Sequence, residues 1–312
     1  MLSRTANNLF WMARYMERAE FVARLLEVAL QMSGMKSREG RTEWSSALIA
    51  SGCEAGYFAK YDEVTARNVV DYLARDPDNP SSIYSCLSTA RQNGRSVRTA
   101  LTVDTWEAIN GTWLDIQVAG RQRFAIENLD NMLTWVKRRA LHFNGAYNNT
   151  MLRGDAFYFC RLGTYLERAD NTARILDVKY HVLLPEYEQV GGLLDYYHWR
   201  AILRSVSALR AYHRFYRDRI SPWNVAELLI LQPQLPRSLR GCYDQVTGNL
   251  DLLAGQYGGQ TGECHRLAGE YHARLRYGRI QDVFDSGLHE FLTETIDRSI
   301  VLGKEIQRFY LM

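Results

Sequence analysis

The sequence predicts an all-α fold, an internally duplicated multi-helix bundle with about six helices per half about a pseudo-two-fold axis. Three observations predict it. Apolar residues recur three and four apart in almost every segment, as on an amphipathic helix, and no run alternates in steps of two as a strand would. The string YMERAEFVARLLEV (Tyr15 to Val28) returns 150 positions later as YLERADNTARILDV (Tyr165 to Val178), with eight positions identical and four exchanged like for like. The register then continues. At a separation of 155, Trp44, Leu48, Tyr57 and Tyr61 match Trp199, Leu203, Tyr212 and Tyr216, and at 156 Pro77, Pro80, Ser82 and Cys86 match Pro233, Pro236, Ser238 and Cys242.

The elements follow in order. The first helix, 5–33, carries Met12, Tyr15, Met16, Ala19, Val22, Ala23 and Leu26 on one stripe, with Thr5 as its N-cap. A Trp- and Tyr-bearing helix is expected at 43–61 and a short one ending in a Pro turn at 65–74. Asn79-Pro80 opens the next at 80–100, with Pro placed where a backbone N–H would be unbonded anyway. Helices at 104–122 and 124–147 complete the half. The second half repeats the plan at 155–184, with Asp155 as N-cap, then 195–219, 222–231, 236–255 behind Leu235-Pro236, 262–277 and 280–310. Five extra residues fall in the Pro185 to Gly192 turn. Gly191-Gly192 and Gly258-Gly259 read as turns rather than phosphate loops, since no strand precedes either.

Two related units, 1–150 and 151–312, are expected to fuse into a single domain spanning all 312 residues. Apolar content of 46% and charged content of 23% suit a globular protein with an ample core. Of 38 basic and 35 acidic residues, 18 and 16 lie in the first 150 positions, so neither half is a polycation. General binding to nucleic acid or a membrane surface through net charge is disfavoured. Cys53, Cys86, Cys160, Cys242 and Cys264 lie too far apart for a zinc site of usual spacing or a disulfide framework, and a reducing cytoplasm is the economical location. Charges interrupt the N-terminal apolar residues too often for a signal peptide, and no uncharged apolar run approaches the length of a membrane span. No metal or cofactor is expected.

The polar matches in the repeat are the informative ones. Adjacent helical residues diverge by about 100°, so Glu17 cannot satisfy Arg18, nor Glu167 Arg168. Arg14 is the only cation three or four positions from Glu17, and Glu167 has none; neither Arg18 nor Arg168 has a local carboxylate. Glu20 to Arg24 and Asp170 to Arg174 are acid-first pairs four apart and account for those arginines locally. The four remaining groups need partners from elsewhere. The specific expectation is that two helices cross with Glu17 facing Arg168 and Arg18 facing Glu167, either as a buried ion network docking the halves or as a ligand site.

Two further basic groups are candidates for binding. Arg91, Arg95 and Arg98 form a stripe at i, i+4 and i+7, whose equivalents in the second half are Thr247, Asp251 and Ala254. Such a stripe is either a solvated face or a carboxylate or phosphate site, with RNA a weaker third reading. Lys137, Arg138, Arg139 and His142 precede a Gly/Asn-rich stretch, NGAYNNTM, read as a turn, where the cations would oppose the helix dipole. His142 alone, without a nucleophile, is weak evidence for catalysis. Paired E-x-x-H motifs, G-x-S-x-G, a P-loop, H-E-x-x-H and an aspartate-rich magnesium motif are all missing.

The opening MLSRTANNLFWMARYMERAE, the repeated ERA, DPDNPSSI, ARQNGRSVR and NTMLRGDAFYFCRLGTYLERADNTARILD together resemble the Alpha-E family, a bacterial helical family named for its Glu-Arg motif. Glu17-Arg18, Asn79-Pro80-Ser82, Arg91, Arg95, Arg98, Gly145, Thr150-Met151 and Glu167-Arg168 match its pattern, while Gly94 is a poor helix former within the arginine helix. The resemblance implies work beside an ATP-grasp amide-ligase-like protein and a transglutaminase-like protein in peptide synthesis or modification. On that basis the chain is expected to be a non-catalytic partner, with a peptide as candidate ligand. The alternative is a helical enzyme acting on a peptide or amide product, with Glu17 or Glu167 as acid/base and arginines holding a carboxylate or phosphate.

Overall fold

A computed structural model describes residues 1–34, 41–119, 128–182 and 193–311. Among these, fifteen α-helices and no strand are present: α1 (Ser3–Ser33), α2 (Arg41–Ser51), α3 (Glu54–Phe58), α4 (Ala66–Val70), α5 (Ile83–Ser96), α6 (Val103–Ala119), α7 (Leu129–Thr150), α8 (Asp155–Val182), α9 (Leu193–Ser205), α10 (Leu209–Tyr216), α11 (Pro222–Leu231), α12 (Leu239–Gln256), α13 (Glu263–Tyr277), α14 (Ile280–Asp285) and α15 (Leu288–Ile306). None of the described helices is long and apolar enough to cross a membrane. The Pro185 to Gly192 turn, with Gly191-Gly192, lies outside the described residues.

The two Glu-Arg helices, α1 and α8, pack against each other at the centre. From Ala19 to Leu26 every residue of α1 is buried, so this stretch is covered on all sides rather than along one stripe. Helices α5 and α7 flank α1, α12 and α15 flank α8, and α6 and α13 form an outer layer against α7 and α12. Helix α2 touches both central helices, as does α9. The close approach of α1 and α8 depends on Gly163, because a Cβ there would fall inside the van der Waals surface of the Phe10 carbonyl. Gly94 has a similar reason to sit within α5: a Cβ would lie 3.2 Å from the Met12 sulfur on α1.

Several expected helices are broken or begin elsewhere. The helix expected at 43–61 divides into α2 and α3 at Gly52, whose φ of 67° is left-handed. That at 195–219 divides into α9 and α10 beside Ser207, with φ 60°. A break at Gly287 (φ 87°) likewise separates α14 from α15 within 280–310. These single left-handed residues redirect the chain without disturbing the apolar spacing, which is why the spacing runs through them.

The caps are corrected too. Helix α5 is capped by the Ser82 hydroxyl, which accepts from the Ser85 amide, and α12 by Ser238, which accepts from Gly241; the Pro residues lie in the preceding turns. Thr5 lies inside α1, whose N-cap position is Leu2 without a side-chain bond. Asp155 is the first residue of α8, and its carboxylate accepts from the next amide, Ala156. Helix α7 continues through the NGAYNNTM stretch to Thr150, because Asn148 and Thr150 satisfy their side chains on carbonyls four residues back instead of breaking the helix. Lys137, Arg138, Arg139 and His142 therefore sit mid-helix, and the dipole account of them fails.

Candidate functional site

At the crossing of α1 and α8 the adjacent Glu-Arg pairs of each helix reach across to those of the other. Arg168 donates to both oxygens of Glu17 at 2.9 Å each, and Arg18 donates to both oxygens of Glu167 at 2.6 and 3.2 Å. Each fork also lies over the tyrosine that precedes the motif, with Arg18 5.4 Å from the Tyr15 ring centroid and Arg168 5.0 Å from that of Tyr165. Both glutamates are buried.

Each glutamate also has a second arginine, and the two come from different places. Glu167 takes Arg14, one turn before Arg18, at 2.7 Å. Glu17 takes Arg237, in the turn before α12, at 2.9 Å. The other guanidinium nitrogen of Arg237 donates to Glu20 at 2.7 Å, so this arginine bridges two buried carboxylates. Arg14 has the apolar side of its guanidinium on Trp11, 4.6 Å from the ring centroid. Sequence spacing assigned Arg14 to Glu17; in the fold it crosses the interface. Arg237 was not anticipated, since a residue in a turn carries no helical periodicity to mark it.

Arg24 and Arg174 do more than pair locally. Arg24 is bonded to Glu20, and Arg174 to Asp170 at 2.7 Å, as expected at four-residue spacing. Their remaining nitrogens donate to backbone carbonyls near the C-terminal ends of two other helices: Arg24 to Ser205 of α9, and Arg174 to Ala50 of α2 at 3.2 Å. A cation there satisfies a carbonyl that the helix leaves unbonded and opposes the negative dipole end. The central helices thereby hold α2 and α9 in place.

Burial on its own would raise the pKa of Glu17, but Arg168 and Arg237 overcome it and hold the group at about 2. Glu167 is likewise held at about 2 against burial by Arg18 and Arg14. Carboxylates held that low are ionised throughout the neutral range, with no proton to donate and little affinity for one, so neither suits general acid/base chemistry. The cluster is built as a clasp.

One side of it is open. A cavity of about 230 Å³ borders Glu167, Arg14, Arg18 and Arg174. Arg18 and Arg174 keep 23% and 20% of their side-chain surface exposed, whereas Arg24 beside Glu20 keeps 5%.

The other basic candidates lie apart from the clasp. Arg91 donates to Asn110 on α6 at 3.0 Å, tying α5 to its neighbour. Arg95 is exposed on α5, and Arg98 lies beyond that helix in a separate 3-10 turn, its guanidinium 5.4 Å from the Trp106 ring. The expected continuous stripe is thus interrupted at Val97. His142 is exposed on α7. Lys137 reaches Glu27 on α1 at 2.7 Å, and Arg139 bonds Asp115 on α6, so these two fasten α7.

A model of the Alpha-E family, described as a predicted alpha-helical domain with a conserved ER motif, matches residues 1–311. Proteins of Mycobacterium bovis and of two strains of Mycobacterium tuberculosis, each described only as uncharacterized, are 24% identical over 315 aligned residues, covering 94% of this chain and 35% of theirs. The chain thus spans about a third of the length of these curated relatives. No solved structure matches.

Proposed function

The chain belongs to the Alpha-E family, and from that premise we propose that it is a non-catalytic helical binding partner in an ATP-grasp-dependent peptide synthesis or modification system. The observation that carries the reading is the state of Glu17 and Glu167, both buried, both bridged by two arginines and both held at about 2. A pair so arranged fixes the docking of helices. It offers no proton chemistry of its own, so the reaction belongs to a partner: an ATP-grasp amide-ligase-like protein, with a transglutaminase-like protein in the same cytoplasmic system. The greater length of the mycobacterial relatives is consistent with such a partner being joined to this helical unit in one chain.

The body itself we read as two copies of one unit about a pseudo-two-fold axis. Matched contacts support this. Tyr57 donates to the Glu63 carbonyl at 2.7 Å and Tyr212 to that of Arg219 at 2.8 Å. Ser82 donates to the Asp76 carbonyl and Ser238 to that of Gln232. Tyr61 bonds Asp71 and Tyr216 bonds Glu227, each at 2.8 Å. The serine partners are six residues apart in both halves, and the tyrosine partners are one residue further apart in the second half, 7 against 6 and 11 against 10, as the change of register from 155 to 156 between them requires.

The direct test is co-purification of the chain with an ATP-grasp amide-ligase-like protein from the same cell, followed by ATP turnover and mass spectrometry of the product with and without the chain. Complex formation and a changed rate or product are expected. A ligase that neither binds the chain nor changes its output in its presence would overturn the reading, and turnover of the ligase product by the chain alone would replace it with the enzyme alternative.

A further inference from the structure

The clasp is closed at one end and open at the other, and one residue in each of two similar turns makes the difference. Arg237 immediately precedes Ser238, the cap of α12, and its guanidinium fills the space between Glu17 and Glu20. Ser81 immediately precedes Ser82, the cap of α5, and faces the corresponding space beside Glu167 and Asp170. A serine cannot fill it. The 230 Å³ cavity is what the shorter side chain leaves.

From this geometry we infer that the cavity binds a carboxylate borne by a small apolar group, either a free amino-acid-sized acid or the C-terminus of a peptide. Charge selects the sign. Arg14, Arg18 and Arg174 face the cavity with Glu167 and Asp170, leaving one positive charge in excess. A cation entering where Arg237 sits in the other half would raise that excess to two, whereas a carboxylate cancels it.

Donor geometry agrees. Arg14 uses only its Nε on Glu167 and Arg18 only its Nε and Nη2, so the two Nη atoms of Arg14 and the Nη1 of Arg18 meet no protein acceptor among the described residues. Guanidinium forks with free N–H groups are suited to planar carboxylates. A phosphate dianion would overshoot the single excess charge and lie against Asp170. Phe21, Val22 and Ile300 supply an apolar wall, and the volume admits a group of amino-acid size.

The inference rests on the reading of the chain as a binding partner, yet it can fail alone, since ligase association and ligand binding are measured separately. Isothermal titration calorimetry of the full chain at low salt would use N-acetylleucine, its amide, an acetylated tripeptide ending in leucine as free acid and as amide, and inorganic phosphate. At least one acid is expected to bind with a Kd of about 1 mM or tighter, and the matching amide at least about tenfold more weakly. Equal affinity of the two acids assigns a free small carboxylate, and a tighter tripeptide acid assigns a chain end. Absence of binding by both acids, equal binding of acid and amide, or tighter binding of phosphate would overturn the assignment. Ser81→Arg, which introduces the side chain that closes the other half, is expected to cut affinity at least about tenfold, with the circular dichroism spectrum preserved; unchanged affinity would place the ligand elsewhere. Ser81→Leu fills the same space without charge and serves if the arginine variant does not fold.

Discussion

Glu167→Gln isolates the electrostatic work of the clasp, because the amide is nearly isosteric and leaves no hole. It removes the charge that balances Arg14 and Arg18, which approach it at 2.7 and 2.6 Å. Removing one member of a buried ion pair costs about 3–5 kcal/mol, since the partner is left desolvated and uncompensated. The unfolding entropy of a chain of this length, at about 2.1 cal/mol/K per residue, converts that to a fall in thermal midpoint of about 5–8 °C. The acid limb gives an independent check. With a folded pKa of about 2 against an ordinary 4.5, Glu167 stabilises the fold fully above pH 4.5, and that contribution is lost as the pH falls through the range towards 2. The size of the shift corresponds to on the order of 3 kcal/mol, in keeping with the mutational figure. Thermal melts by circular dichroism, at neutral pH and in steps down to pH 3, measure both. The variant should melt lower at neutral pH and lose less on acidification than the parent. A midpoint within about 2 °C of the parent, with a parallel acid limb, would refute the claim that Glu167 is a buried and charged clasp residue.

Arg237→Gln unbridges Glu17 and Glu20, and a loss of about 3–5 kcal/mol in chemical denaturation is expected; a loss under about 1 kcal/mol would mean that Arg168 and Arg24 suffice. Gly163→Ala drives a methyl into the Phe10 carbonyl at the α1/α8 crossing and should cost about 1–3 kcal/mol, read by the same denaturation curve. Gly52→Ala forces a left-handed residue to carry a Cβ and should cost about 1–2 kcal/mol, whereas Gly111→Ala, with open space around it, should be neutral or slightly stabilising. Burial pushes the thiols of Cys86, Cys160 and Cys242 up to about 12 and that of Cys264 to about 11, so iodoacetamide at pH 8 should modify the native chain at Cys53 first; peptide mass spectrometry showing early labelling of Cys86 would contradict the burial.

The helical class was legible because apolar spacing integrates over many residues, and the crossing of α1 and α8 because Glu17, Arg18, Glu167 and Arg168 lacked local partners. That second argument worked by elimination: a buried charge that its own helix cannot satisfy must be satisfied from another. Helix breaks were not legible, since Gly52 and Ser207 turn the chain through a single backbone angle while the flanking side chains keep their period. The continuation of α7 to Thr150 was hidden for the opposite reason. Asn and Gly usually mark turns, and here Asn148 spends its amide on the carbonyl four residues earlier, which spacing rules do not register.

Arg237 and Ser81 mark the boundary of what a comparison within one chain reveals. A repeated sequence pattern is found through its agreements, and these two positions disagree, so they carried no weight in reading two related units. Yet only a disagreement can give two similar halves different roles. With an arginine before the cap of α5 as well as before that of α12, both ends of the clasp would be sealed. The serine leaves a cavity beside Glu167 and Asp170, while these carboxylates remain pinned by Arg14, Arg18 and Arg174. The buried pairs therefore have two consequences that mutation can separate: Glu167 fixes the fold and thereby the aim of the arginines, and Ser81 leaves the room that a ligand would occupy. A change at Glu167 should lower stability and binding together, whereas a change at Ser81 should lower binding alone.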